Sequence, residues 1–372
     1  MRRDSVTTVP IPAFVARHLP QNAYTKRIGK GLTEAYGAAA SRPPIEVNDL
    51  RAVVFSDHHR GRGDGADDFM RCEPAYAAAL GWYLEQGYEL WLLGDVEELW
   101  ENDVDDVMDR YKDILALEAE FGDRLWRFYG NHDLTWQKQS HVEEDLAPHV
   151  PGTEVREALK LVFIDDGKPL ASLFLAHGHQ GTIDSGNLLV VPFSRFIVRF
   201  GWGTLQRARG FANTSPATDA VLRGKHDRAM ATWADAHPER IVLVAGHTHR
   251  PVFPGQLPPD RRREADEAER RYRAARETGQ GVAEARATHE LARARAERAL
   301  PHDPIDLKRP SYFNTGCCSF GDGDVTGLEF AEGQVRLVRW LDNEGNAAAR
   351  ELASEDLRTM FGQLTGRAPA PA

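Results

Sequence analysis

The chain reads "VAGHTHRP" over residues 244–251. A short apolar, β-branched run leads into a glycine, and two histidines follow at i and i+2. This order predicts a buried β-strand that ends in a turn carrying imidazole side chains. A single His-x-His pair is weak evidence for a metal site, so its meaning depends on what ends the other predicted strands.

Four other predicted strands end in the same way. In each, an apolar run is followed by a small residue and then by side chains with nitrogen or oxygen donors. With the first stretch included, the five sets of side chains are Asp57 and His59 in "SDHHRG", Asp95 in "LLGDVEELW", Asn131, His132 and Asp133 in "YGNHD", His177 and His179 in "LAHGHQG", and His247 and His249 in "AGHTHRP". Residues just past the carboxyl ends of strands gather at one edge of a sheet, where ligands bind. We therefore expect these donors to lie close together.

The chemistry of the donors indicates which ions they would hold. All are imidazole, carboxylate or amide groups, with no thiolate among them. This set suits Mn, Fe or Zn in a reactive site better than a structural zinc, which favours cysteine. Any one of the motifs alone could be an ordinary turn. Five in series predict a metal centre.

Short apolar runs alternate with helical patterns, which predicts an α/β protein. The helices are predicted at "EPAYAAALGWYLEQG" and "VDDVMDRYKDILALEAEFG". Further strands are predicted at "ALKLVFIDD", "LASLFLAHG", "SYFNTG", "DVTGLEFA" and "GQVRLVRWLD". The short turns "DDGKP" and "AEGQ" suit hairpins, so we expect mixed sheets.

Composition excludes some classes of function. The 372-residue chain has a formal net charge of -10, which does not suit an extended nucleic-acid surface. Three cysteines, two of them adjacent, do not form a disulfide framework. With no apolar signal segment and no stretch long enough to span a membrane, a cytoplasmic protein is predicted.

Three segments lie outside the strand pattern. Residues 1–47 are interpreted as an N-terminal extension with a helical part, and 346–372 as a C-terminal helix and tail. Residues 258–303, rich in Ala, Arg and Glu, predict a solvated helical hairpin. Residues 183–215 predict an inserted lid helix. The alternative for this insertion is peripheral membrane contact through 188–204, where arginines alternate with aromatic residues.

The order and wording of the strand-end motifs resemble the calcineurin-like metallophosphoesterase superfamily. The resemblance covers roughly residues 51–341 without the hairpin, and assigns 48–345 to one catalytic domain carrying both insertions. It implies a four-layer α-β-β-α sandwich with two mixed sheets face to face. It also implies two divalent metal ions, with Mn preferred and Fe or Zn as alternatives.

The resemblance also assigns roles to residues. It implies that a metal-bridging hydroxide attacks phosphorus in a phosphate mono- or diester. His132 would protonate the leaving oxygen, oriented by Asp133. The metal ligands would be Asp57, His59 and His249 for the first ion and Asn131, His177 and His247 for the second, with Asp95 between them.

Some neighbouring residues have two interpretations. His179 competes with His177 for one ligand position, and His177 is preferred because it directly follows the apolar run. His58 either contacts substrate or fills space, and Arg60 and Arg250 either meet phosphate or are ordinary exposed arginines. Glu97 and Glu98 either support the ligands or are ordinary acids at a helix start. Asn314 is interpreted as structural.

Within the superfamily, "SDHHRG", "GDVEELW" and the insertion after "HGHQG" look similar to UDP-2,3-diacylglucosamine hydrolases. Those enzymes usually have arginine where this chain has His132, and aspartate where it has His179. The primary prediction is therefore a general phosphoesterase acting on a small or lipid-linked phosphate ester. A pyrophosphate hydrolase of the diacylglucosamine type, a nuclease for short single strands and a non-catalytic scaffold are the alternatives.

Overall fold

The computed structural model describes residues 19–182, 220–254, 270–276, 278–279, 281–282, 285–286, 288, 309–341 and 348–365. The chain divides into two compact units. They are Met1–Pro254 with Leu307–Ala372, and Gly255–Asp306.

The first unit contains all the strands and the principal helices of the described residues. The strands are β1 Ala40–Ser41, β2 Ile45–Glu46, β3 Ala52–Phe55, β4 Glu89–Leu93, β5 Leu125–Phe128, β6 Val155–Arg156, β7 Ala158–Asp165, β8 Lys168–Ala176, β9 Ile241–Ala245, β10 Tyr312–Asn314, β11 Val325–Ala331, β12 Gln334–Leu341 and β13 Ala348–Asp356. The helices are α1 Gln21–Ala38, α2 Glu73–Glu85, α3 Val104–Arg110, α4 Lys112–Ala119, α5 Ala220–Ala236 and α6 Leu357–Thr365. Short helical turns lie at Gly122–Arg124, Leu134–Gln137, Gln139–His141 and Val142–Leu146.

The strands form two mixed sheets. Sheet I runs β13-β12-β11-β3-β4-β5-β6 and is parallel from β3 to β6. Strands β11, β12 and β13 pair antiparallel with their neighbours. Sheet II runs β1-β7-β8-β9-β10, with β2 also on β7, and its one antiparallel pair among the described strands is β7 with β8. The predicted α/β class with two mixed sheets is confirmed.

The side chains of each strand alternate between two apolar layers. Val54 and Trp91 of sheet I share a buried cluster with Leu173 and Val244 of sheet II, which places the sheets face to face. On the other side of sheet I, Val53 and its neighbours pack with α2, α3 and α4. Helices α1 and α5 cover sheet II, where the rings of Tyr36 and Trp233 lie 5.1 and 5.7 Å from that of Phe174. This gives four layers, helix, sheet, sheet, helix.

Two tight turns fix the register of the antiparallel pairs. Asp166 and Gly167 join β7 to β8 with φ of 49° and 72°, and Glu332 and Gly333 join β11 to β12 with φ of 55° and 72°. Two consecutive left-handed residues are typical of the type I′ turn, whose twist matches that of the flanking strands. The two predicted hairpins are therefore present.

Three predictions about the ends and helices need correction. Residues 19–47 are not separate from the domain, because β1 and β2 pair with β7 and α1 packs against α5. The predicted helix after β4 breaks at Tyr111, whose φ of -108° and ψ of 21° separate α3 from α4. The C-terminal segment begins with a strand, β13, because it supplies the edge partner of β12.

The two predicted insertions are described to different extents. Residues 183–215, and the membrane contact proposed for 188–204, lie outside the described residues. Within the second unit, described residues are helical on either side of Gly279 and Gly281, whose φ values are 71° and 62°. Across the described part of the chain, each helix is too short or too polar to cross a bilayer.

Candidate metal centre

Left-handed backbone marks the turns that carry the predicted ligands. Asp57, His59, Asp95, His247 and His249 have φ between 51° and 68°. Each such non-glycine residue costs on the order of 1–3 kcal/mol and persists only where the surroundings enforce it. These turns follow β3, β4 and β9, and the strain is concentrated where the donors gather.

Glycines allow the turns to approach one another closely. A Cβ on Gly130 would collide with the Asp95 carboxylate, and a Cβ on Gly246 would collide with that of Asp57. The backbone N–H of His247 also donates to both carboxylate oxygens of Asp57, at 3.0 and 2.9 Å. These contacts join the β9 turn of sheet II to the β3 turn of sheet I.

The first group of donors is Asp57, His59 and His249. Nε2 of His249 lies 3.2 Å from Oδ1 of Asp57 and 3.0 Å from Nε2 of His59. One donor atom from each residue lies within 4.8 Å of the others. The same three residues are the ligands that the resemblance implies for the first ion.

The second group is Asp95, His177 and His247, whose donor atoms also lie within 4.8 Å of one another. Nε2 of His177 lies 3.0 Å from Oδ2 of Asp95. The other ring nitrogen, Nδ1, donates to the Leu93 carbonyl at 2.8 Å, so Nε2 is left to bind a ligand.

Asp95 belongs to two groups, since His59, Asp95 and His132 form a third set with the same spacing. Oδ2 of Asp95 lies 3.9 Å from Nε2 of His59, and Oδ1 accepts a hydrogen bond from the backbone N–H of His132 at 2.8 Å. The Asp95 carboxylate therefore lies between the first and second groups.

Unpartnered polar atoms show that the groups fit metal ions. Asn131 Oδ1 and His247 Nε2 are buried without a hydrogen-bond partner, and His177 Nε2 lies against the Asp95 carboxylate. Buried polar atoms normally find a partner, and exceptions call for a ligand or a functional reason. Together with Asp95, these atoms are an amide oxygen, two imidazoles and a carboxylate, a set suited to Mn, Fe or Zn.

The electrostatics of the histidines differ from one position to another. Burial lowers the pKa of His59, but the hydrogen-bonded Glu98 and the nearby Asp95 outweigh it and raise that pKa to about 10. Burial is likewise outweighed at His177, where Asp95 and Asp57 raise the pKa to about 9. Burial holds the pKa of His247 well below its usual range, so this imidazole stays neutral. The carboxylates of Asp57, Asp95 and Glu98 thus favour positive charge next to His59 and His177.

His132 lies at the rim of the centre. About a fifth of its side chain (21 %) is exposed, whereas that of His177 is fully buried. Its ring stacks on Trp100 with centroids 4.3 Å apart and an interplanar angle of 18°. Burial lowers the pKa of His132, but Glu98 and Asp95 outweigh it and raise that pKa above its ordinary value.

The prediction that Asp133 orients the His132 ring is wrong. The Asp133 oxygens accept backbone N–H bonds from Gly130 and Val96, at 2.5 and 2.8 Å, and so fix the turn itself. Oε2 of Glu98 lies 2.6 Å from Nδ1 of His132 and 3.0 Å from Nδ1 of His59. Of the two interpretations of Glu98, the structure favours support of the ligands.

His179 and His58 lie outside the three groups. The ring of His179 is 5.4 Å from that of His177, and its buried Nδ1 has no hydrogen-bond partner. His58 is fully buried with its ring 4.7 Å from Tyr76 and 5.5 Å from Phe69, in the apolar layer beneath the helices. Of its two interpretations, His58 therefore follows the space-filling one.

Arg60 and Arg250 are neither exposed nor directed toward solvent. Arg60 is fully buried and paired with Glu118, while Arg127 pairs with Glu118 and with Glu97. These four charges form a buried network just past the β3 and β4 turns. Through this network, Glu97 stabilises the turns that follow β3 and β4.

Arg250 is paired with Asp227 of α5. Asp227 also accepts hydrogen bonds from Thr248 at 2.9 Å and from Tyr312 at 2.8 Å. Asn314 donates to the Gly246 carbonyl at 2.6 Å, in keeping with its structural interpretation. Side chains of α5 and β10 thus hold the turn that carries His247 and His249.

Sequence reasoning did not find His226 or Asp227, which are adjacent on α5. Both are fully buried in the described structure beneath the histidine turns. Neither residue follows a strand, and the adjacent His-Asp pair in "GKHDRAM" is the one signal in the sequence that links this helix to the centre.

Comparisons with known proteins give little further support. No family model matches the chain, and no curated protein matches it. Among solved structures, the crystal structure of a dimetal phosphatase from Danio rerio is similar at a TM-score of 0.35 and 12 % identity, covering 78 % of this chain and 95 % of that chain. A TM-score this low establishes neither a shared fold nor a shared activity.

Proposed function

We propose that this protein is a dinuclear metal-dependent phosphoesterase that hydrolyses a phosphate mono- or diester. One observation carries the proposal. Asp95 belongs both to a donor group with His177 and His247 and to one with His59 and His132, while His59 also groups with Asp57 and His249. Two adjacent cation positions with a shared carboxylate are the arrangement used for in-line displacement at phosphorus.

Two divalent ions bound at these donors would supply an activated water and would neutralise charge on the phosphoryl oxygens. Asp57, His59 and His249 would hold the first ion, Asn131, His177 and His247 would hold the second, and Asp95 would be shared. Six of these seven residues are buried and the side chain of His249 is 17 % exposed, which limits competition by water for the donors. The strained turns hold the donors in place before substrate arrives.

His132 serves the substrate in this proposal. Since Glu98 lies beside Nδ1, Nε2 is the nitrogen left to meet a substrate oxygen. Glu98 and Asp95 raise the pKa of His132 above its ordinary value, which favours the protonated ring that a proton donor to the leaving oxygen requires. Trp100, stacked on the opposite face, limits rotation of the ring.

The substrate is proposed only as a class, a small or lipid-linked phosphate ester. His132 is the residue that favours general ester hydrolysis over the UDP-diacylglucosamine type, because those enzymes usually carry arginine there. No observation on the described residues favours the nuclease or the scaffold.

The test is hydrolysis of p-nitrophenyl phosphate and of its bis-ester by chelator-stripped protein reloaded with Mn, Fe, Zn or Mg. We expect turnover that requires metal and is retained in Asp105→Asn, an exposed control on α3. The preferred ester separates a monoesterase from a diesterase. Tight binding of two ions with no turnover on either ester, or on nucleotide-linked and lipid phosphates, would contradict the proposal.

A further inference from the structure

His226 connects the N-terminal helix to the turn that carries His177. Its Nε2 lies 2.7 Å from the carbonyl oxygen of Gly178, and its Nδ1 lies 2.7 Å from the hydroxyl of Tyr24 on α1. Gly178 stands between His177 and His179, with φ of 109°. A three-residue chain of hydrogen bonds therefore runs from α1 through α5 to the backbone of the ligand turn.

The chemistry of the partners fixes the direction of these bonds. A carbonyl oxygen only accepts, so Nε2 of His226 must carry the proton that is donated to Gly178. In a neutral ring, Nδ1 is then an acceptor, and the Tyr24 hydroxyl donates to it. Burial lowers the pKa of His226, which agrees with a neutral ring. Tyr24 thus selects the tautomer that holds Gly178.

Helix α1 also touches the same turn directly. Nε of Arg27 donates to the Gly181 carbonyl at 2.8 Å. A Cβ on Gly31 would collide with the backbone of Gly181, so the helix and the turn pack backbone to backbone. Helix α1, which the sequence predicts as part of an N-terminal extension, therefore packs against the turn that follows His177.

Asp227, next to His226 on α5, holds the turn that carries His247 and His249. Asp227 holds Thr248 and Arg250, which flank His249, while His226 holds Gly178. Adjacent positions of one helix therefore anchor the turns that follow β8 and β9. Through His226 and Tyr24, the turn that follows β8 is also linked to α1.

We propose that Tyr24 and His226 are positioning residues for the second metal ion. In this arrangement α1 holds the His177 turn through them and thereby sets the affinity of that ion. The inference rests on the proposed dinuclear centre, but it concerns binding of the metal and does not require that the protein hydrolyse a phosphate ester.

The test is calorimetric titration of chelator-stripped full-length protein with Mn²⁺. Wild-type protein should bind two ions. Tyr24→Phe, which removes only the hydroxyl, and His226→Ala should weaken one of the two sites by about 10–100-fold, the range for partners that orient a ligand. His226→Gln, whose amide can still donate to Gly178, should recover part of the loss.

The matched control is Tyr36→Phe, which removes a hydroxyl from the same helix. That hydroxyl donates to Glu239 at 2.5 Å and has no contact with the histidine turns among its described hydrogen bonds. Tyr36→Phe should bind both ions like the wild type. Thermal unfolding of each variant establishes that it is folded, and hydrogen exchange of the 177–182 peptide should be faster in Tyr24→Phe than in Tyr36→Phe.

Two outcomes would overturn the inference. One is unchanged affinity for both ions in Tyr24→Phe and His226→Ala. The other is an equal loss at both sites in folded Tyr24→Phe, which would indicate a general structural effect. Absence of metal binding in wild-type protein would contradict both this inference and the proposed function. Two bound ions without hydrolysis would contradict the proposed function alone.

Discussion

Nδ1 of His132 lies 2.6 Å from Oε2 of Glu98. The same oxygen lies 3.0 Å from Nδ1 of His59, so one carboxylate joins a proposed metal ligand to the proposed acid. Burial raises the pKa of Glu98, but His132 and His59 outweigh it and lower that pKa to about 2. Glu98 is therefore charged at neutral pH and directs Nε2 of both rings away from itself.

Replacing Glu98 by glutamine tests this role. Glu98→Gln keeps the size of the side chain but removes the charge that orients both rings. We expect kcat for p-nitrophenyl phosphate to fall by about 10–100-fold, the usual effect of losing such a partner. Glu85→Gln, at an exposed position of α2, should match the wild type. Equal kcat in the two variants would contradict the role.

Replacing His132 separates catalysis from metal binding. His132→Ala should retain both ions and lose about 10²–10⁴-fold in kcat, the contribution of a positioned acid. Metal content is measured by mass spectrometry on the protein used for kinetics. His141→Ala, whose side chain is 39 % exposed, serves as the control. Loss of metal together with activity would mean that His132 is a ligand.

The choice between His177 and His179 can be decided by two matched variants. Nε2 of His177 is 3.0 Å from Asp95, while His179 is in none of the three donor groups. His177→Ala should therefore bind one ion less than the wild type under metal-limited conditions, and His179→Ala should bind the same number. The opposite pattern would transfer the ligand role to His179.

The buried charge network predicts how stability depends on pH. Burial raises the pKa of Glu118, but Arg60 and Arg127 outweigh it and hold that pKa below its ordinary value. A carboxylate with a depressed pKa stabilises the fold above its unfolded-state pKa, about 4.3, and loses this contribution as the pH falls through the folded-state value. The wild type should accordingly lose stability in acid.

Glu118→Gln measures that contribution. The variant leaves two buried arginines with one fewer partner, so the free energy of unfolding at pH 7 should fall by about 3–5 kcal/mol. Its stability should also change less than that of the wild type between neutral and acidic pH. Glu34→Gln, which breaks an exposed pair with Lys30, should cost at most about 1 kcal/mol. Equal effects of the two substitutions in urea unfolding would exclude a stabilising network.

Much of the centre could be predicted because it is encoded locally. Asp57 and Asp95 follow buried apolar runs of neighbouring parallel strands in sheet I, whose carboxyl ends meet at one edge of that sheet. His247 follows a run of the same kind in sheet II. The hairpins were predictable for the same reason, since residues such as Gly167 specify a two-residue turn. Sequence reasoning is reliable where a short window contains the determining interaction.

The remainder depends on contacts between distant parts of the chain. Asp133 is next to His132 in the sequence, but in the structure its carboxylate binds the backbone of the turn. Glu98 is distant in the sequence and contacts the His132 ring. Likewise, 202 residues separate Tyr24 from His226. No periodicity or motif records such a pair, because neither residue follows a strand.

Electron paramagnetic resonance of the Mn²⁺-loaded protein tests whether two metal ions share Asp95. Ions bridged by one carboxylate lie about 3.5–4 Å apart and couple their spins. We predict the spectrum of a coupled manganese pair in wild-type protein and in Asp105→Asn, and loss of the coupled signal in Asp95→Asn. A wild-type spectrum of isolated manganese at full loading, or a coupled spectrum that survives in Asp95→Asn, would contradict the shared ligand.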